Sequence, residues 1–269
     1  PAPVEASDED LLAVYPLGDP HIGMLSWHAE TGEDFDLTIA RSVFGSAMRD
    51  LVLRGPRAAM ALIANLGDFF HSDTLDNRTR RSGHALDVDS RWPKILQVGV
   101  EIMIGLVNCA LEHHARVRVI NEIGNHDDHT AIMLSVALRA YYRQEPRVEI
   151  DASPARRHWH RHGRCLIGVT HGDGAKQDQL ESIMAAERPD DWGATRHRYW
   201  YCGHVHHSRR IEHRGCIVES FRTLAPRDAW AAGMGYRAGR DLHRIVLHRE
   251  HGEVSREIAS SEYLAARYR

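Results

Sequence analysis

Cysteine and long apolar runs are scarce in this chain of 269 residues. Its four cysteines, Cys109, Cys165, Cys202 and Cys216, lie far apart without a C-x-x-C pair, which excludes a zinc ribbon and a small disulfide scaffold. The most apolar stretch, 95–111, contains three polar residues and is expected to be too short and too polar for a bilayer span. No signal peptide is recognisable. We therefore expect a cytoplasmic protein without a membrane segment.

The chain also lacks an excess of charge of either sign. Its 34 basic and 37 acidic residues give a net charge of -3, so any contact with nucleic acid must be local. Apolar residues at 43% and charged residues at 26% are ordinary for a globular protein and exclude a disordered or collagenous chain. Histidine is abundant instead, with 20 residues against 5 Phe and 8 Tyr. Because imidazole is the commonest metal ligand, the positions of these histidines are informative.

No internal repeat and no linker rich in Gly, Ser or Pro divides the chain. Strands and helices alternate in the first half and strands dominate the second, which predicts a single α/β domain over 11–269 after a flexible tail at 1–10. The C-terminal part, 209–269, is expected to complete the fold with strands or to cap the site. Clear periodicity predicts strands at 11–17, 58–66 and 117–123, helices at 34–54, 92–114 and 130–142, and a hairpin turn at 162–163.

Polar side chains follow five of the predicted strands. In α/β sheets the loops beyond the carboxyl ends of the strands line the ligand crevice, so we expect these five blocks to meet in one place. The blocks are Asp19-Pro20-His21, Gly67-Asp68-Phe69-Phe70-His71, Gly124-Asn125-His126-Asp127, His171-Gly172-Asp173 and Gly203-His204-Val205-His206.

The five blocks supply carboxylates, imidazoles and one amide but no thiolate, which is a ligand set for transition metals. Alternation along an extended segment turns both side chains of Asp19-x-His21, and both of His204-x-His206, to one side. Seven candidate ligands exceed the roughly three or four of a single metal, whereas two metals ~4 Å apart with a shared carboxylate would use them all. Asp68 is the natural shared ligand.

In their order along residues 18–206, the five blocks resemble the calcineurin-like metallophosphoesterase family. The resemblance implies an α/β fold, a layered α/β/β/α sandwich of two mixed sheets flanked by helices. It also implies a phosphodiesterase that acts through a dinuclear metal centre and a bridging hydroxide. Its implied ligands are Asp19, His21, Asp68 and His206 for one metal, and Asp68, Asn125, His171 and His204 for the other.

The same resemblance implies that His126 donates a proton or a hydrogen bond to the phosphate or leaving group and is oriented by Asp127. The Gly-Asp-Phe-Phe-His block is most similar to the recombination and double-strand-break-repair nucleases, in which the corresponding histidine assists catalysis without binding metal. This implies that His71 contacts the scissile phosphate or leaving group. It also implies a DNA or RNA substrate, with a homodimer or an accessory ATPase as the partner to test.

Several expectations concern the metal and the substrate. Manganese is the first expectation for this oxygen and nitrogen ligand set, with iron and zinc as alternatives. Arg78, Arg80 and Arg81 lie in the long polar loop after Asp68, and we expect them to hold the substrate's phosphates. Arg156, at the predicted hairpin, is expected to lie on a solvated face.

Two other functions stay open. A small-molecule phosphodiesterase for cyclic nucleotides or dinucleotides, or a phosphomonoesterase, fits the net charge of -3 and the absence of a long basic groove. A non-catalytic scaffold of the same fold is the second alternative. Such scaffolds normally lose ligands or the catalytic histidine, whereas all of these residues are present here.

Overall fold

The computed structural model describes residues 7–80 and 83–267. Within these ranges the strands, in chain order, are β1 (Asp8–Leu17), β2 (Ala58–Asn65), β3 (Arg116–Asn121), β4 (Val148–Asp151), β5 (His158–His162), β6 (Cys165–Thr170), β7 (His197–Cys202), β8 (Arg209–His213), β9 (Cys216–Ser220), β10 (Asp241–His248) and β11 (Gly252–Ser260). The helices are α1 (His28–Thr31), α2 (Leu37–Arg54), α3 (Trp92–Leu111), α4 (Thr130–Tyr141), α5 (Leu180–Glu187), α6 (Pro189–Ala194), α7 (Ala229–Gly233) and α8 (Ser261–Arg267).

The strands form two mixed sheets. The six-stranded sheet has the order β11-β10-β1-β2-β3-β4, in which β1 to β4 are parallel and β10 is antiparallel to both of its neighbours. The five-stranded sheet has the order β5-β6-β7-β9-β8, with β6, β7 and β9 parallel and β5 and β8 antiparallel at the edges.

Alternation along the strands sorts side chains into three layers. In β1, Leu12 and Val14 point toward the second sheet and pack in one core with Ile167 of β6. Ala13 and Tyr15 point the other way, into the core shared with α2 and α3. A third apolar cluster lies between the second sheet and α5. The predicted sandwich of two mixed sheets flanked by helices is therefore confirmed.

The helix predicted at 34–54 is observed as α2 (Leu37–Arg54), and the side chain of Asp36 caps its N-terminus. Asp36 accepts a hydrogen bond from the backbone N–H of Ile39 at 2.7 Å, which satisfies one of the unpaired amides at the start of α2. The hairpin turn is also observed, since Gly163 has a φ of 55° between the antiparallel strands β5 and β6. Local turn and cap chemistry thus places these elements.

Element boundaries differ from the prediction at the N-terminus. The strand β1 begins at Asp8, whose backbone N–H donates to the carbonyl of Arg57 at 2.8 Å. Residues 8–10 therefore belong to the sheet and not to a tail, and positions 1–6 lie outside the described residues. In the C-terminal part, β8 and β9 join the second sheet while β10 and β11 join the first, and the short helices α7 and α8 are additional.

The helix α3 corrects an expectation about the membrane. At 20 residues it is long and apolar enough to cross a bilayer, so the expectation that this stretch is too short and too polar is wrong. Half of its apolar window, 50%, is buried inside the protein. Ile95, Ile102 and Leu106 lie in the core, and Phe70 packs so closely on Gly99 that a Cβ there would lie 2.1 Å from the ring.

The core between the two sheets predicts a clear stability difference. Leu62 in β2 is 0% exposed in this core, so Leu62→Ala is expected to lower the free energy of unfolding by ~2–5 kcal/mol. Leu53 in α2 is 69% exposed, and Leu53→Ala serves as the matched control with a change within ~0.5 kcal/mol. Urea unfolding followed by circular dichroism measures both. Equal losses would contradict the assignment of Leu62 to the core.

Candidate metal centre

The five blocks meet at one edge of the sandwich. The parallel strands β1, β2 and β3 of one sheet, and β6 and β7 of the other, all end where a block begins. Side chains from the two sheets touch there: Nε2 of His171 lies 3.2 Å from Oδ2 of Asp68, and Nε2 of His206 lies 3.4 Å from Oδ1 of Asp19. The carboxyl ends of the strands thus gather the predicted residues in one place.

The backbone is strained at most of these positions. In the described part of the chain, seven residues other than glycine have a positive φ, and five of them are candidate ligands. Asn, Asp and His adopt this region more often than other residues with a side chain, but each instance still costs roughly 1–3 kcal/mol, which the surrounding structure must offset. The five and their φ values are Asp19 (43°), His21 (45°), Asp68 (50°), His204 (68°) and His206 (54°). Such concentrated strain indicates a functional centre.

The first cluster contains Asp19, His21 and His206, whose donor atoms lie within 4.8 Å of one another. Nε2 of His21 faces Nε2 of His206 at 3.2 Å. The Asp19 carboxylate accepts the backbone N–H of His204 at 2.9 Å on each oxygen, and the Thr223 hydroxyl donates to the Asp19 carbonyl at 2.6 Å. These contacts hold Asp19 beside the two imidazoles.

The second cluster contains Asp68, His171 and His204, again with donor atoms within 4.8 Å of one another. The amide oxygen of Asn125 joins it, 3.0 Å from Nε2 of His171. Nδ1 of His171 donates to the carbonyl of Leu66 at 2.8 Å, so Nε2 is the nitrogen that faces the cluster.

The exposure of the candidate ligands increases from the inner part of the centre, called its floor, to the outer part, called its rim. Asp19 and His171 are 0% exposed and Asp68 is 2% exposed, while Asn125 is half-buried and His204 is exposed. The carboxylates therefore form the floor of a cup that opens to solvent on the side of His204. A small anionic group can approach from that side.

The ionisable groups on the floor of the centre shift one another's pKa values. Burial alone would raise the pKa of Asp68, but the neighbouring His171 and His126 hold that pKa well below its usual range. Burial alone would lower the pKa of His171, yet the Asp68 and Asp19 carboxylates raise it to about 10. Burial lowers the pKa of His21 well below its usual range, with like-charged histidines adding to the effect, so this imidazole is neutral. Anionic carboxylates beside a neutral imidazole suit a divalent cation.

The chemistry of this donor set fits divalent metal ions. Two clusters, each with one carboxylate and two imidazoles, lie side by side, and the amide of Asn125 adds an oxygen to the second. In the first cluster two ring nitrogens face each other at 3.2 Å, an arrangement in which a lone pair is directed into the cluster. Asp68 belongs to the second cluster, and its Oδ1 is engaged by the backbone N–H of His126 at 2.7 Å.

His126 is oriented by a different group than expected. Its Nδ1 donates to the backbone carbonyl of His71 at 3.0 Å, which directs Nε2 away from that bond. The Asp127 carboxylate instead accepts the backbone N–H groups of Phe70 at 3.1 Å and Gly124 at 2.9 Å. The expectation that Asp127 orients the His126 ring is therefore wrong, because Asp127 ties the second block to the third. Burial, with the charge on Asp68, raises the pKa of Asp127 to about 8.

His71 lies behind the centre and not on its surface. It is 1% exposed, its Nδ1 is 3.3 Å from Nδ1 of His21, and its ring stacks on His126 at 5.5 Å with an angle of 23°. Burial lowers its pKa to about 3. The contact of His71 with the scissile phosphate or leaving group stays a prediction, and His21 and His126 are the neighbours that cover its ring here. These three histidines also form a third close cluster of donor atoms.

The arginine loop is only partly described. Arg78 is exposed and donates to the carbonyl of Gly83 at 2.8 Å within its own loop. Arg80 is exposed and lies 2.8 Å from Nε2 of His129, four residues after Asn125. Arg81 lies outside the described residues. Arg80 is thus the arginine that the structure brings next to the third block.

Two residues whose roles were not predicted from the sequence, Asp73 and Arg156, hold the blocks together. Asp73 accepts the backbone N–H of Thr130 at 2.7 Å and that of His129 at 3.0 Å, which fastens the loop after the second block to the start of α4. Arg156 pairs with Asp173 at 2.7 Å and lies 3.7 Å from Asp128. The expectation of a solvated face at Arg156 is therefore wrong. No local signal announces these contacts, because the partners lie 17 to 57 residues apart.

Beneath the third block, His158 is 2% exposed between two carboxylates. Its Nε2 lies 3.3 Å from Glu122 and its Nδ1 lies 3.4 Å from Asp151. Burial alone would lower the pKa of His158, but the two carboxylates raise it to about 9. This charged group supports the strand that leads to Asn125.

No family model matches the chain, and no curated protein matches it either. Solved structures similar to it include a predicted phosphoesterase from Streptococcus pneumoniae TIGR4, with 12% identity, coverage of 93% of this chain and 98% of that one, and a TM-score of 0.38. An archaeal phosphodiesterase has 14% identity, coverage of 92% and 99%, and a TM-score of 0.42. Vacuolar protein sorting 29 from Cryptosporidium parvum has 15% identity, coverage of 94% and 98%, and a TM-score of 0.41. Scores this low carry no conclusion about function.

Gly124 offers a test of the centre in which no candidate ligand is itself mutated. A Cβ at Gly124 would lie 1.9 Å from Oδ1 of Asp68 and 2.1 Å from its backbone nitrogen, so Gly124→Ala must displace Asp68. We expect the affinity for Mn²⁺ to fall about 10- to 100-fold, as for other changes that misplace a ligand. Calorimetric titration of the purified chain measures this.

The matched control is Gly105→Ala, since no atom lies within 4 Å of a Cβ at that position in α3. It should leave the affinity for Mn²⁺ unchanged and raise stability by up to ~1 kcal/mol, because Ala is the better helix former. Equal affinity in both variants would show that Asp68 is not a ligand.

The raised pKa of His158 predicts how stability depends on pH. Its stabilising contribution is complete below the unfolded pKa of about 6.5 and is lost as the pH rises through about 9, on the order of 3 kcal/mol in total. We expect His158→Gln to flatten the decrease in unfolding free energy between pH 6 and pH 10. His160→Gln is the control, because burial lowers the pKa of His160 to about 3 and keeps it neutral throughout. Unchanged pH dependence in His158→Gln would refute the ion-pair assignment.

Proposed function

We propose that the protein is a divalent-metal phosphodiesterase of the calcineurin-like metallophosphoesterase family and that it cleaves nucleic acid. One observation carries this proposal. The clusters Asp19, His21, His206 and Asp68, His171, His204 adjoin each other at the carboxyl ends of the strands, with Asn125 and His126 at their rim. Each cluster contains three of the four ligands that the resemblance implies for one metal, and Asn125, the fourth of the second set, lies 3.0 Å from His171.

Two cations bound there would neutralise the phosphate and lower the pKa of an attacking water from ~15.7 toward neutrality. The chain's own residues prepare the site for them. Asp68 is the proposed shared ligand, as the resemblance implies. Its Oδ2 faces His171 at 3.2 Å, and its Oδ1 accepts the backbone N–H of His126 at 2.7 Å. Manganese is the first choice for this ligand set, with iron and zinc as alternatives.

His126 is the proposed proton donor to the leaving oxygen. It is half-buried at the rim, and its Nδ1–H is held by the carbonyl of His71. In the imidazolium form Nε2–H would therefore give its proton to the leaving oxygen and leave a neutral imidazole. His71 acts through His126, by that carbonyl and by the stacked ring at 5.5 Å. We place Asp127 in a positioning role, since its carboxylate holds the backbone of the second and third blocks together.

The proposed setting is the cytoplasm. Among the described residues Cys109, Cys165, Cys202 and Cys216 are all free thiols, and the last three are buried. A reducing compartment preserves such thiols. For its partner, we propose a second copy of the chain, in a homodimer, or an accessory ATPase.

The test of this function compares substrates and variants in one assay. The purified chain with Mn²⁺ is expected to bind two ions per molecule and to hydrolyse both a single-stranded oligonucleotide and a simple aryl phosphodiester. His126→Gln should lower kcat about 10²- to 10⁴-fold with the metal still bound, because it removes only proton transfer. Asp68→Asn should lower metal binding as well.

His251→Gln is the matched control, since His251 is exposed in the turn between β10 and β11, away from the blocks. Its activity and metal content should equal those of the wild type. Hydrolysis of a cyclic dinucleotide but not of an oligonucleotide would replace the nuclease by a small-molecule phosphodiesterase. Uptake of one ion or none, together with no hydrolysis, would favour a scaffold.

A further inference from the structure

Three segments that leave the blocks carry an unusual share of exposed apolar side chains. These segments are 22–36, the described parts 72–80 and 83–91 of the loop after the second block, and 223–240. In the described parts of the chain 15 large hydrophobic residues are exposed, and six of them lie in these segments: Leu25, Trp27, Leu75, Trp230, Met234 and Tyr236. The exposed surface beside the candidate centre is therefore rich in aromatic and apolar groups.

Three rings from two of these segments come together on this surface. The ring centroids of Trp230 and Tyr236 are 5.8 Å apart, and those of His84 and Trp230 are 6.5 Å apart. We call His84, Trp230 and Tyr236 the ring cluster. Trp230 is 58% exposed and Tyr236 is 55% exposed, so both residues are largely accessible to solvent.

Hydrogen bonds tie the ring cluster to the backbone of the metal centre. The Thr223 hydroxyl donates to the carbonyl of Asp19 at 2.6 Å, and Thr223 begins the segment that carries Trp230. The Ser26 hydroxyl donates to the carbonyl of Arg227 at 3.0 Å, which joins that segment to the one after His21. These contacts join the segment that carries Trp230 to the backbone of the first block.

The segment that carries His84 is fastened in the same way. The backbone N–H of Asp89 donates to the carbonyl of Gly23 at 2.9 Å, and that of Leu25 donates to the carbonyl of Asp87 at 3.0 Å. All three segments thus form one surface that starts at the first and second blocks.

Arginines occur in the same segments as the ring cluster. Arg78 pairs with Ala85, the neighbour of His84, in a short bridge, and Arg80 reaches His129 next to the third block. Arg237 follows Tyr236, is exposed, and forms no hydrogen bond or ion pair with the part of the chain that the structure describes. Exposed rings in segments that also carry arginines complement a polyanion with flat bases.

We propose that the ring cluster is a stacking platform for single-stranded nucleic acid. Bases stack on Trp230 and Tyr236, while backbone phosphates lie beside Arg80 and Arg237 and lead the strand toward the metal centre. This inference rests on the proposed function and adds the single-stranded form of the substrate and the residues that hold it. Stacking on aromatic faces tolerates any sequence, so the platform supplies affinity without base preference.

Binding without cleavage tests this platform directly. Fluorescence anisotropy of labelled dT15 and U15 with EDTA present measures Kd on the full chain, and the two probes distinguish DNA from RNA. Trp230→Ala should weaken binding about tenfold, while Trp230→Phe, which retains a ring, should stay close to wild type. Tyr141→Ala is the matched control, because Tyr141 is 60% exposed at the far end of α4, and it should change nothing.

Salt dependence tests the charged part of the platform. Arg237→Gln should reduce the slope of log Kd against log salt by about 0.7, as expected for the loss of one phosphate contact on a single strand. An unchanged slope would remove Arg237 from the interface. Trp230→Ala should leave this slope unchanged, because its ring carries no charge.

Outcomes separate this inference from the proposed function. Wild-type hydrolysis of an aryl diester without binding of either oligonucleotide would overturn the platform and leave the metal chemistry in place. Equal Kd values for wild type and Trp230→Ala would also overturn it. A smaller mass of Trp230→Ala by light scattering would assign the rings to contact with a second copy. Tight binding without any hydrolysis would overturn the catalytic proposal only.

Discussion

The contact between Asp68 and His171 is the interaction on which the candidate centre depends. These two residues come from different sheets, lie 3.2 Å apart, and are almost completely buried at 2% and 0% exposure. Buried charges are costly unless they are paired, so the sandwich tolerates them only because the two sheets align their strand ends. A shift of one sheet by a few ångströms would separate the donors. The relative position of the two sheets therefore sets the distances between the donor atoms of the site.

The loops around this contact adopt strained backbone conformations, which cost stability but place the donor atoms in the required positions. Five candidate ligands adopt left-handed backbone conformations, and a Cβ at Gly124 would collide with Asp68. Carboxylates compensate by holding backbone amides: Asp127 binds Phe70 and Gly124, and Asp73 binds the start of α4. Strain held by buried polar contacts is typical of sites that must present donors in one arrangement. The ring cluster beside the centre is the opposite case, because its rings stay exposed and available for contact.

Local patterns predicted much of the fold. The apolar run of β2 and the amphipathic spacing of α2 are visible in sequence because a buried parallel strand and a half-buried helix have distinct periods. The short helix α7 was missed, since five residues carry too little periodicity to be recognised. The start of β1 at Asp8 was missed because its polar residues pair by backbone hydrogen bonds alone. The role of Arg156 was misjudged because its acidic partners come from other blocks.

Residue type and position at strand ends already determined, from the sequence by itself, which donors are present and that they follow buried strands. Both properties are local, so a linear pattern can carry them. The tertiary structure alone decided that the carbonyl of His71, 55 residues away, orients His126, and that Asp127 does not. It also decided that His71 is buried and that His84 meets Trp230. These contacts depend on how two sheets and three loops pack together, and no spacing along the chain encodes a distance between groups so far apart in sequence.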